Sequence, residues 1–98
     1  MSFSSIEDVR NRIDQIDSEL VKMIAQCSQC VKAAAAFKSD HSAVRAPDRV
    51  KQVIDKVSKQ ATEAGLPTGI IEKVCRTMID AFIDYELTQH DQLRQEKC

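Results

Sequence analysis

Glycine and proline are scarce in this 98-residue chain: two of each, all lying between positions 47 and 69. Average usage would give roughly a dozen in total. The first 46 and the last 29 residues contain neither breaker, which excludes sandwiches, barrels and doubly wound sheets, since each needs a turn about every ten residues. A few long helices remain. An excess of one charge is also missing. With 14 basic against 15 acidic residues, net −1, no global field attracts nucleic acid or an anionic membrane, and any anion site must be local. No apolar run approaches the roughly 20 residues of a membrane span. Met1-Ser2-Phe3-Ser4 opens into polar sequence without a secretory pattern, so the expected compartment is the cytoplasm. One domain, 1–98, is expected, with a polar tail from about residue 93. Its 43% apolar content supports a modest core that burial against a partner would help.

Metal and covalent chemistry also lack their usual residues. Cys27-x-x-Cys30 has the spacing of half a zinc site, but no second Cys-x-x-Cys or His-x-x-x-His follows, and His41 and His90 stand alone in the sequence. Neither a metal nor a cofactor is expected. Cys30 and Cys75 read as small apolar residues on helical faces, and Cys98 as a frayed terminus. No nucleotide-binding glycine loop or Ser/His/Asp arrangement is present.

What the chain does have is periodicity. Ser4-Ser5-Ile6-Glu7 reads as a capping box, with Glu7 and Asp8 at the positive end of a helix dipole. Ile6, Ile13, Leu20, Cys27 and Ala34 then recur every seven residues, and Val9, Ile16, Met23, Cys30 and Phe37 follow three behind, giving five unbroken heptads. Ile24, Val31 and Ala33 widen the stripe, so burial on more than one side is expected there. A helix from Ile6 to Lys38 would be about 50 Å long, against about 33 Å for a globule of this size. It should pair with a second copy in a twofold dimer.

Ser39-Asp40-His41-Ser42 breaks the pattern. Pro47 suits the first position of a second, short helix, over which Val50, Val53, Ile54, Val57, Ala61 and Ala64 keep helical spacing up to Gly65 as the C′ residue. Thr68 is the expected N-cap of a medium-long third helix carrying Ile70, Ile71, Val74, Cys75, Met78, Ile79, Phe82 and Ile83, and ending near Gln92. The expected fold is all-α, three helices per protomer, in an intertwined homodimer.

Basic residues flank these seams. Arg10 and Lys38 share heptad position e but lie 28 residues apart, about 42 Å along a helix. Antiparallel pairing of two long helices would bring Arg10 of one copy toward Lys38 of the other. Arg45 and Arg49 bracket the start of the second helix, where free amides and the dipole favour an anion. The expected ligand is a small dicarboxylate.

The ordering Ile6-x-x-Val9-Arg10-x-x-Ile13-x-x-Ile16-Asp17-x-x-Leu20-Val21, then Val31-Lys32-Ala33-Ala34-x-x-Phe37-Lys38, then Ala46-Pro47-x-Arg49-Val50 resembles the all-helical chorismate mutases. Within that class it is most similar to the isochorismate-pyruvate lyase branch. The resemblance implies a dimeric enzyme converting chorismate to prephenate or, alternatively, eliminating pyruvate from isochorismate to leave salicylate. A third reading is a dimerisation or regulatory module that keeps the fold without catalysis. Both reactions are pericyclic, so the protein has to fold the enolpyruvyl arm over the ring and stabilise charge developing on the ether oxygen. By resemblance, Arg49 and the partner subunit's Arg10 hold carboxylates, and Lys38 donates to the ether oxygen.

Two positions depart from the family. Cys27 stands where an arginine usually grips a carboxylate, and a lost charged hydrogen bond of roughly 1.5–3 kcal/mol would weaken binding unless another cation such as Arg45 reaches in. In the third helix, where a glutamine usually faces the ether oxygen, ungapped matching gives Glu86 and a slid match gives Gln89. A carboxylate there would repel the developing charge unless burial keeps it protonated, and turnover would then fall as pH rises. Ala46 and Val50 replace acidic residues of some mutases, as in the lyase branch.

Overall fold

The computed structural model describes residues 2–96, with side chains as far as residue 93. Cys98, expected as a frayed terminus, lies outside the described residues. Four helices follow one another: α1, Ile6–Ala35; α2, His41–Arg45; α3, Pro47–Ala64; and α4, Thr68–Glu96. Among the described residues there is no strand. The helices α1, α3 and α4 are the three expected; α2 is a single turn within the segment expected only to break the pattern. The chain divides into two compact units at the Cys30/Val31 boundary.

In the first unit the cap of α1 sits one residue later than the sequence pattern suggests. The Asp8 amide donates to Ser5 Oγ at 3.1 Å, and the Asp8 carboxylate accepts from the Ser4 amide and, in a short contact, from the Ser4 hydroxyl. Asp8 thus takes the part expected of Glu7, because the N-cap is Ser5 rather than Ser4. The Ser4 hydroxyl, and then the Ser4 amide, hold the Asp8 carboxyl below the usual carboxylate range. The stabilisation this gives is present above the ordinary titration of an aspartate and is lost as pH falls through the lowered value. Ile6, Ile13, Ile16, Leu20 and Met23 line one stripe and are all exposed. No residue from 2 to 30 is buried, including Cys27 and Cys30. Cys30, read as a small apolar residue on a helical face, is exposed in the single chain, and Cys75 is buried.

The second unit contains the core. The helix α1 spans 30 residues, about 45 Å, and stops at Ala35 rather than Lys38. The amides of Ala36, Phe37 and Lys38 bond back three residues, to the carbonyls of Ala33, Ala34 and Ala35, a tightening usual at helix ends. Phe37 and Lys38 therefore leave the heptad register, and Phe37, expected in the seam, is 90% exposed. Ala35 is buried where Ala33 was expected to be.

Asp40 then caps α2, its Oδ1 accepting from the Ala43 amide at 2.8 Å. Ala46 ends α2 and begins α3 in the left-handed region, φ 37°. Pro47 keeps α2 and α3 from merging, since its ring disfavours the right-handed helical conformation in the preceding residue. At the far end of α3, Gly65 has φ 77°, its amide bonds to Thr62 O and the Leu66 amide to Ala61 O. That is the expected C′ glycine, in a Schellman motif. Three residues connect α3 to α4, a helical hairpin that buries Ile54, Ala61 and Cys75, while Ser58 Oγ donates to Glu72 across it at 3.3 Å. Thr68 is the first helical residue rather than the N-cap, and α4 runs four residues past its expected end at Gln92. Among the described residues no helix is long and apolar enough to cross a membrane.

Candidate active site

The core-facing stripe of α4 passes through Cys75 and Ile79 and continues one turn at a time to Glu86 and His90. Among the described residues these two are the buried polar ones, 6% and 3% exposed. Both reach the turn after α1. Lys38 Nζ lies 2.7 Å from Glu86 Oε2 and donates to Oε1 at 3.1 Å. His90 Nε2 lies 2.9 Å from the Lys38 carbonyl oxygen. A carbonyl only accepts, so this ring nitrogen carries the proton and Nδ1 is left as a lone pair. Lys38 is thus held twice from one face of α4, by its ammonium and by its main chain.

The ion pair is poorly hydrated, with side-chain exposures of 26% for Lys38 and 8% for Glu86. A pair so placed is held by geometry rather than by large net energy. Removing the cation alone would strand a buried carboxylate, at about 3–5 kcal/mol. Chemically, the pair keeps a lysine in one rotamer, facing a carboxylate with which any anionic ligand must compete.

Of the two candidates in α4, Glu86 is the one that reaches Lys38. Gln89, three residues on, is partly exposed. Arg45, the last residue of α2, and Arg49, in the first turn of α3, are both exposed. The start of α3 has no side-chain cap, since Ala46 occupies the N-cap, and this leaves amides open to an anion. Arg10 and Cys27 are exposed residues of the first unit.

A comparison with known proteins decides the family. Residues 9–87 match the family model described as chorismate mutase type II. The chain belongs to the type II chorismate mutase family. It is 30% identical over 91 residues to the isochorismate pyruvate lyase of Pseudomonas aeruginosa, an alignment covering 93% of this chain and 90% of that protein. It is 26% identical over 76 residues to the chorismate mutase of Methanocaldococcus jannaschii, covering 76% and 77%. A 31% match over 78 residues to the T-protein of Haemophilus influenzae covers 78% of this chain but 21% of that protein. This member of the chorismate mutase family is accordingly an enzyme of chorismate-mutase type, as its motifs imply.

The sequence pattern missed His90 as the residue that holds Lys38, and it missed the meeting of His41 with His90 and Asp91. His41 Nε2 is 2.7 Å from Asp91 Oδ1, and the His41 and His90 rings pack edge to face with centroids 5.8 Å apart. The two histidines, read as isolated, are brought together by the packing of α2 on α4. A signal was available for His90, because Glu86 and His90 extend an apolar stripe at helical spacing, where a polar residue needs a buried partner.

Proposed function

We propose that this chain converts chorismate to prephenate as a homodimer. In this Claisen rearrangement the ether C–O bond breaks as a C–C bond forms within one molecule, so neither nucleophile nor metal is required. Lys38 donates to the ether oxygen. Arg49 and the partner subunit's Arg10 hold the carboxylates, with Arg45 as a candidate to replace the cation lost at Cys27. The observation that carries the reading is the double hold on Lys38: a donor pinned in advance at the point of developing charge costs no reorganisation during reaction. The dimer is supported by the unburied stripe of α1, since an isolated helix of this length is marginal in water without an apolar partner. The expected compartment is the cytoplasm.

A second reading, isochorismate-pyruvate lyase, is favoured by the match along nearly the whole chain to the Pseudomonas aeruginosa lyase and by Ala46 and Val50 at the start of α3. Incubation of the purified protein with chorismate and, separately, with isochorismate discriminates the readings. Prephenate from the first substrate supports the mutase, and salicylate with pyruvate from the second supports the lyase. Absence of turnover and of saturable binding with both would leave a non-catalytic helical module.

A further inference from the structure

We propose that His41, His90 and Asp91 form a binding site for a divalent transition-metal cation where α2 packs on α4. The proposal goes beyond the pericyclic activity and does not depend on it. One donor atom from each residue lies within 4.8 Å of the other two. His41 and Asp91 are about half exposed, at 51% and 54% of their side chains, so a hydrated ion can reach them and they can move to meet it. His90, by contrast, is fixed.

The orientation of His90 is what distinguishes this cluster from a chance grouping of polar side chains. Its Nε2–H is committed to the Lys38 carbonyl, and its Nδ1 is buried with no hydrogen-bond partner. A buried acceptor left unpaired costs about 1–3 kcal/mol and calls for an explanation. Metal-ligating histidines commonly have this arrangement: one nitrogen donates to a carbonyl, which fixes the tautomer and the ring, and the other offers its lone pair to the ion. Two imidazoles and one carboxylate carry a single negative charge. They suit zinc, cobalt or nickel rather than calcium or magnesium, which prefer an all-oxygen shell.

Ligand bonds of about 2.0–2.2 Å in a tetrahedron set ligand atoms roughly 3.3–3.6 Å apart, so the 2.7 Å separation of His41 Nε2 and Asp91 Oδ1 has to open by more than about half an ångström. Rotation of two half-exposed side chains supplies that. The fourth position would be left to solvent. An ion on Nδ1 would also make Nε2–H a stronger donor to Lys38, so occupancy tightens one of the two holds on that residue.

Isothermal titration of the chelator-treated, reduced full-length chain with Zn(II) tests the proposal. One ion per chain should bind with micromolar or tighter affinity. His41→Ala and Asp91→Asn, substitutions at exposed positions whose folding circular dichroism can verify, should each weaken binding at least tenfold. The Cys27→Ser/Cys30→Ser double variant should bind as the parent does. Absence of saturable binding, unchanged affinity in both His41→Ala and Asp91→Asn, or loss of the ion in the cysteine variant would each overturn the proposal.

Discussion

A free lysine side chain carries about 2 kcal/mol of rotamer entropy, and Lys38 gives up much of it to Glu86 while His90 fixes its main chain. Glu86 has a cost for the proposed chemistry, because it neutralises the donor meant for the substrate. Glu86→Gln keeps the shape, removes the competing charge and presents an amide donor. It is expected to raise kcat/KM for chorismate about tenfold, the value of one charged hydrogen bond, as read by steady-state kinetics; a drop would make the carboxylate itself necessary. Cys27→Arg tests the other departure from the family. Restoring a guanidinium should improve kcat/KM by roughly tenfold to a hundredfold, chiefly through KM. A further loss would mean that the pocket has been shaped for a different ligand.

At the scale of elements, the features legible in the sequence are those set by neighbours in the chain. Gly65 as a helix stop and Pro47 as a helix start follow from backbone sterics alone, and both are found where expected. The end of α1 was less legible, because the heptad pattern runs on to Phe37 while Asp40 draws the chain into a new cap. The helix α2 was unreadable, since five residues are too few to show a period. Lys38 could be singled out by its motif, but its partners could not: Glu86 and His90 lie 48 and 52 residues away, and only the packing of α4 brings them in. The junction at Ala46 yields a further prediction. A non-glycine residue in the left-handed region costs about 1–2 kcal/mol, part of which glycine gives back as unfolded-chain entropy. Ala46→Gly should stabilise the fold by about 0.5–1 kcal/mol in urea denaturation.

For the molecule as a whole, the contrast between a first unit with no buried residue among those described and a second unit with a small core supports assembly. Light scattering at micromolar concentration is expected to give twice the chain mass. Ile16→Lys, which places a charge in the exposed stripe of α1, should shift that mass toward the monomer and abolish turnover along with it. Apparent stability should then depend on protein concentration, since only the assembled form buries the stripe.

The short connection between α3 and α4 has a consequence for the order in which the protein is made ready. That hairpin closes across three residues, whereas the two contacts on Lys38 each close a loop of about fifty. Loop entropy is spent before distant contacts return anything, so the hairpin can form early and the hold on Lys38 comes late. Helix content and chemical competence are therefore acquired at different stages. A chain with every helix in place can still lack the fixed ammonium that the proposed chemistry sets against the ether oxygen.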